Sequence, residues 1–240
     1  MALEQLDMIS GMTKSETALE LIRACEPPEG YYLADSGGKD STVIRDLAIR
    51  AGVKFDSHYC ISPIDPPEVR AFLKEHHPDT QWDNHVKGFW KLVVKKQLPM
   101  RMQRWCCKYI KEAGGEGRTV IVGTRRAEST NRKRQRCFEE IDGKIYLRPI
   151  NLWSEKEVWQ YIHENALPYC SLYDEGFKRI GCVLCPSNTN TKLHIERFPK
   201  IVYLWRRACD RIIEDRHAHG TWLNFSSGEE LFQWWIEKHK

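Results

Sequence analysis

Tyr31-Tyr32-Leu33-Ala34-Asp35-Ser36-Gly37-Gly38-Lys39-Asp40-Ser41-Thr42 decides the fold of this 240-residue chain. Its first four residues suit a short buried strand, and they run straight into a glycine-hinged loop that opens a helix. Gly37 and Gly38 let the backbone turn tightly and approach a ligand, while the first N–H groups of the following helix and its positive dipole face an anion. Ser36, Ser41 and Thr42 add hydroxyl donors, Lys39 adds a movable positive charge, and Asp40 either orients the loop or holds Mg²⁺. Together these residues suit a phosphate chain. The Walker loop needs four residues between its first glycine and Gly-Lys-Ser/Thr, a spacing absent here. The plain alternative is an ordinary strand-to-helix turn.

The flanks place this loop in a sheet. Ala18, Leu19, Leu21 and Ile22 predict a helix over 15–25, with Ser15 as its cap and Pro27-Pro28 as its stop. Val43, Ile44, Leu47 and Ala48 predict a second over 40–50, closed by Gly52, and 53–61 alternates as a strand. Strand, helix and strand imply a right-handed βαβ unit and a parallel sheet flanked by helices, a three-layer α/β fold. Ligands bind such sheets beyond the carboxyl ends of the strands, where the glycine loop lies. Further on, Pro67 starts a helix to about His76, and the preceding Asp65-Pro66 loop is a candidate wall for an adenosine or a rigid connector. Helices are expected over 87–96 and 103–111, a strand over 119–122, and a hairpin over 138–147 turning at Asp142-Gly143. Ser154 and Glu157 form a capping box before the apolar face of Val158, Trp159 and Ile162. We expect one nucleotide-binding domain over 1–190 and a helical extension over 191–240 packed on it. Trp222, Trp234 and Trp235 are expected to pack inward or to dock a partner.

Apolar residues make up 41% of the chain and charged residues 29%, which suits a water-soluble enzyme. No apolar run is long enough to cross a bilayer, and the start, with Glu4 and Asp7, lacks a basic-then-apolar signal, so the cytoplasm is expected. A net charge of +4 supports no nucleic-acid claim by itself, but Arg125, Arg126, Arg132, Lys133, Arg134 and Arg136 crowd one stretch.

Nine cysteines, an odd number, argue against a fully paired disulfide framework and for reduced thiols, a metal or a cluster. Cys182-Val183-Leu184-Cys185 and the adjacent pair Cys106-Cys107 supply four thiolates, the ligand count of Zn²⁺ or of an iron–sulfur cluster. Adjacent side chains converge poorly on one tetrahedral ion, whereas a cubane offers them separate irons, so a [4Fe-4S] cluster is favoured. Cys25, Cys60, Cys137, Cys170 and Cys209 read as small buried hydrophobes, with Cys137 and Cys170 in reserve as ligands.

Residues 36–42 resemble the PP-loop, Ser-Gly-Gly-x-Asp-Ser, of the adenine-nucleotide α-hydrolase superfamily. With them run Asp65-Pro66-Pro67-Glu68, Arg104-Trp105-Cys106-Cys107 with Lys111, and Gly123-Thr124-Arg125-Arg126-Ala127-Glu128-Ser129 with Arg132. Pro149-Ile150-Asn151-Leu152-Trp153-Ser154 with Val158-Trp159, Leu172-Tyr173-Asp174-Glu175-Gly176 and Arg179-Ile180-Gly181-Cys182-Val183-Leu184-Cys185-Pro186 complete the set. In this order they resemble the phosphoadenosine-phosphosulfate (PAPS) reductase family. The resemblance implies a [4Fe-4S] cluster on Cys106, Cys107, Cys182 and Cys185. It also implies ATP or an adenylated sulfate (APS or PAPS), with Mg²⁺, at residues 36–42, and Arg125, with Arg126 and Arg132, near the phosphates. Lys39, Asp40 and Arg125 are the expected catalytic residues.

Reductases of the family attack sulfur with a cysteine in a Glu-Cys-Gly-Leu-His-type tail, and no cysteine follows Cys209 here. The expectation is therefore an ATP pyrophosphatase or adenylyl transferase coupled to sulfur transfer. The rival readings are a sulfonucleotide reductase whose thiol comes in trans and a non-catalytic nucleotide-binding redox sensor. A sulfur or electron donor protein, a nucleic acid acceptor and a homo-oligomer are the partners considered, and no membrane.

Overall fold

Tyr31–Ala34 (β1) forms the middle of the fold because its neighbours on both sides are parallel strands, which need crossover connections and buried faces. The structure, a computed structural model, describes residues 3, 6, 11–86, 88–188, 190–221 and 224–238. Glu4, Asp7, Lys87, Trp222, His239 and Lys240 lie outside the described residues. The chain forms two compact units: Met1–Cys60, Glu68–Asp83 and Gly114–Glu175 in one, Ile61–Pro67, Asn84–Ala113 and Gly176–Lys240 in the other.

The first unit holds the sheet. Among the described residues six strands pair in the order β3-β2-β1-β4-β6-β5, with β2 Phe55–Cys60, β3 Gln81–Asp83, β4 Thr119–Ile121, β5 Phe138–Ile141 and β6 Lys144–Leu147. All pairs are parallel except the β5–β6 hairpin at the edge, where Asp142 and Gly143 both take positive φ, as a two-residue turn requires. Helices α1 Lys14–Ala24, α2 Lys39–Ala51 and α5 Glu155–Glu164 cover one face. There Ile22, Val43, Leu47, Val158 and Ile162 pack with Tyr31, Leu33, Ile121 and Leu147. Helix α3, Pro67–His76, buries Val69, Phe72 and Leu73. The other face of β1 and β2 is polar: Tyr32 stacks on His58, whose ring nitrogens meet Asp56 and Asp83.

Three readings change. Thr13, not Ser15, caps α1, accepting the Glu16 N–H while Glu16 accepts its own; the Thr-x-x-Glu box lies two residues earlier than expected. The edge strand β3 was not expected, because three residues are too few to show alternation. The helix expected over 103–111 forms over 105–111, and its Cys107–Lys111 part is a π-helix.

The second unit packs α4 Phe89–Lys96, α6 Thr191–Arg197, α7 Pro199–Ala218 and α8 Gly228–Glu237 around Trp205 and Trp235, both fully buried with ring centres 4.7 Å apart. Each indole N–H is satisfied, Trp205 by the Val183 carbonyl at 3.3 Å and Trp235 by that of Pro99 at 2.8 Å. Trp235 packs inward, and Trp234 is half-buried against Phe225. No described helix is long and apolar enough to cross a membrane.

Helix α5 closes the covered face and depends on its start: Ser154 Oγ accepts the Glu157 N–H at 3.2 Å, Glu157 returns the bond at 2.7 Å, and Lys14 pairs with Glu157 at 2.7 Å. Ser154→Ala is expected to lower unfolding stability by about 1 kcal/mol in urea titration.

Candidate functional site

The loop after β1 is built around one backbone constraint. Gly37 has φ of 67°, and a Cβ there would sit 2.9 Å from Val69 Cγ1 and 3.2 Å from Leu73, so both its conformation and the close approach of α3 demand glycine. Asp35, wholly buried, fixes the turn by accepting the Gly37 N–H at 3.0 Å, while its other oxygen meets His77 Nδ1 at 2.5 Å. Burial pushes the Asp35 carboxyl up, but His77 and the Gly37 N–H outweigh it and hold the group below its usual value.

Helix α2 then begins at Gly38, which brings no capping side chain. Ser41 and Thr42 turn their hydroxyls inward to the Gly38 carbonyl at 2.9 and 3.2 Å, and exposed Ser36 bonds Ser41 at 3.2 Å. These two hydroxyls therefore stiffen the loop. The Lys39 N–H donates to the Tyr173 hydroxyl at 2.9 Å, a contact no spacing rule reveals. The Lys39 ammonium lies 5.1 Å from the Tyr173 ring and 5.9 Å from Trp159, with Glu155 at 3.4 Å and Asp40 at 3.9 Å.

Gly123 brings the arginine segment to this helix start; a Cβ on it would lie 2.6 Å from the Asp40 carbonyl. Buried Arg125 donates from Nε to Asp40 Oδ1 at 2.6 Å, and its own N–H is held by Glu128 at 2.8 Å. Burial raises the Asp40 carboxyl above its usual value, with Arg125 and Lys39 opposing. The structure thus brings Lys39, Asp40 and Arg125 together with residues 36–42. Arg126 and Arg132 serve the adjoining loop: Arg126 Nε donates to the Gln135 carbonyl at 2.9 Å, and Arg132 pairs with Glu128.

In the second unit, Cys106, Cys107, Cys182 and Cys185 line one small recess of about 20 Å³, with Lys111 and Trp205 in its wall. The turn at Cys107–Lys111 is a π-helix, a geometry that concentrates at functional sites, and it leaves both adjacent thiols in the recess, free and hydrogen-bonded to each other. That bond raises the Cys106 thiol and pulls Cys107 down to about 7, Arg104 and Lys111 adding to the second effect. Burial raises Cys182 and Cys185, and Asp65 adds to it at Cys182. Asp65 accepts from Cys182 Sγ at 3.3 Å and from Lys111 Nζ at 2.7 Å, so it belongs to the thiol recess. Among the described residues no three of the four sulfurs lie within 4.8 Å of one another. Leu184, inside the Cys182–Cys185 turn, has φ of 57°, a left-handed conformation that costs a branched residue about 1 kcal/mol or more. Of the other cysteines Cys60, Cys170 and Cys209 are buried as expected, whereas Cys25 and Cys137 are half-exposed.

The chain matches the family model described as the phosphoadenosine phosphosulfate reductase domain over residues 30–188. Two uncharacterized proteins of Methanocaldococcus jannaschii are 29% and 31% identical to it, over 87% and 78% of this chain and 46% and 50% of their own length. The chain spans about half the length of these relatives. An adenosine 5'-phosphosulfate reductase of Bacillus anthracis is 34% identical over 69% of this chain and 75% of its own. Among solved structures, the PAPS reductase of Candida auris in its phosphate complex gives a TM-score of 0.52 at 20% identity, covering 69% of this chain and 88% of that one. FMN adenylyltransferase of Candida glabrata in complex with ATP gives 0.53 at 15%, covering 71% and 60%. At these identities the structural likeness is one of fold.

The phosphate loop's dependence on Asp35 and His77 is directly measurable. His77→Leu leaves a buried carboxylate unpaired and is expected to cost roughly 3–5 kcal/mol of unfolding stability. Since the folded-state value of Asp35 is depressed, its contribution is full above about pH 4 and is lost as the pH falls through that lower value. Asp35→Asn removes this part of the acid dependence in urea titrations between pH 2 and 6.

Proposed function

The chain belongs to the phosphoadenosine phosphosulfate reductase family, and we propose that it binds an adenylyl nucleotide at residues 36–42 and carries a [4Fe-4S] cluster on Cys106, Cys107, Cys182 and Cys185. The observation that carries the nucleotide reading is the meeting of two buried cations, Lys39 and Arg125, at the start of α2, whose N-cap residue, Gly38, has no side chain to cap it. Phosphate oxygens take over from Glu155 and Asp40 as partners of these cations, and the helix dipole adds to the attraction.

The favoured reaction is adenylyl transfer coupled to sulfur transfer. An acceptor oxygen attacks the α-phosphorus of ATP, the bond from that phosphorus to the bridging oxygen breaks, and pyrophosphate leaves with the bonding pair. Lys39 and Arg125 stabilise the charge that grows on the leaving group. Asp40, flanked by both cations, is a poor resident site for a divalent ion; it meets a Mg²⁺ that arrives on the phosphates.

The thiol recess supports a cluster over zinc. Adjacent Cys106 and Cys107 converge poorly on one tetrahedral ion, whereas a cubane offers each its own iron. Lys111 and Arg104 supply positive charge near the thiolates, Arg104 Nη1 lying 3.9 Å from Cys107 Sγ. Such a cluster, when bound, would supply one-electron chemistry. A second reading, sulfonucleotide reduction with a thiol from another protein, is favoured by the name of the Bacillus anthracis relative.

Calorimetric titration with ATP·Mg²⁺ and with adenosine 5'-phosphosulfate, followed by ATP–pyrophosphate exchange, separates the readings. Wild type is expected to bind ATP·Mg²⁺ and catalyse exchange, with Lys39→Ala and Arg125→Ala each binding roughly ten- to a hundredfold more weakly. Binding of the phosphosulfate alone, with sulfite released when a dithiol is added, points to the second reading. Failure to bind either nucleotide contradicts both.

A further inference from the structure

Leu184 is held left-handed between two cysteines, and the structure shows what holds it. Its N–H donates to Nδ1 of His194 at 2.9 Å, across a turn of chain that returns from Cys185 to helix α6. His194 is 2% exposed and lies between the rings of Phe177, 5.5 Å away, and Phe198, 6.0 Å away. A ring nitrogen that accepts a backbone N–H carries no proton, so Nδ1 is the unprotonated nitrogen of this ring; Nε2 lies 3.0 Å from the Asn188 side-chain nitrogen. Burial favours that neutral form, drawing the imidazole down to about 4.

The turn is fastened on its other sides as well. The Val183 N–H donates to the Ile64 carbonyl at 2.7 Å, the Cys185 N–H to the Cys182 carbonyl at 3.2 Å, and the Asn188 N–H to the Cys185 carbonyl at 2.8 Å. Of these N–H groups, that of Leu184 depends on a side chain, from helix α6. Released, a leucine returns to the right-handed or extended regions, and a rotation of its φ moves Cys185 relative to Cys182.

We propose that His194 is a positioning residue for the Cys182–Cys185 pair: its unprotonated Nδ1 accepts the Leu184 N–H and thereby keeps both thiols on the recess. This deepens the cluster reading and rests on it for the identity of the occupant, but the positioning itself is a property of the chain without a cluster.

The test uses the full chain, first as the reduced apo protein. Wild type, His194→Leu and His194→Asn are compared by amide hydrogen exchange at Leu184 and by mass-spectrometric mapping of phenylarsine oxide, which bridges two thiols held close together. In His194→Leu the Leu184 amide is expected to exchange roughly five- to tenfold faster, and bridging of Cys182 to Cys185 to fall while that of Cys106 to Cys107 stays. His194→Asn, whose Oδ1 replaces Nδ1 as acceptor, is expected to restore both. Asn188→Ala, at a half-buried position, gives a smaller loss of the same kind and serves if His194→Leu does not fold.

The same proteins are then reconstituted with iron and sulfide under argon. Lower iron and visible absorption in His194→Leu, restored in His194→Asn, extends the role to the loaded site. Wild-type exchange at Leu184 and wild-type arsenical bridging in a folded His194→Leu protein overturn the proposal. A wild type that takes up no iron while His194→Leu still loses bridging overturns the cluster reading alone.

Discussion

The left-handed turn at Gly37 is the constraint from which the loop after β1 and the proposed nucleotide site are built. With α3 packed where a side chain would go, the backbone has one course open to it, and that course delivers the start of α2 at a glycine that brings no capping side chain. A helix start in that state attracts an anion. Everything nearby serves to keep the turn and to gather charge around it: Asp35 and His77 from beneath, Tyr173 from the side, Gly123 by letting Arg125 approach Asp40. Ser41 and Thr42, which look like ligand donors in the sequence, stiffen the loop from within.

The thiol recess solves a similar backbone problem by different means. There the left-handed position is filled by a leucine, which does not adopt that conformation freely, and a buried histidine acceptor stands where glycine would have needed none. Leucine brings apolar burial next to Trp205 in the wall of the recess that a glycine lacks. The two loops thus show two ways to hold an unfavourable φ: remove the side chain, or tie the backbone.

Much of this was legible in the chain itself, for reasons particular to each element. The hairpin at Asp142-Gly143 and the capping box at Ser154 were readable because their chemistry is local, within three or four residues. The parallel sheet followed from one strand–loop–helix–strand run. Thr13 carried the same box signal as Ser154 and was passed over for the nearer Ser15. The edge strand Gln81–Asp83 had too few residues to show a period, and the π turn at Cys107–Lys111 has no compositional mark. Within the site, Lys39, Asp40 and Arg125 were named from the loop and the arginine segment, and the structure brings them together. His77 and His194 were not named, because each acts on a backbone turn that only the fold brings to it, His77 across 42 residues and His194 across 10.

One measurement bears most directly on the account: iron, acid-labile sulfide and visible absorption of anaerobically purified protein, for wild type and for Cys182→Ala. The account predicts about four irons and four sulfides per chain in wild type, as a four-thiolate cubane requires, and their loss in the variant. Stoichiometric zinc without sulfide would contradict it, leaving a nucleotide loop and a structural metal site.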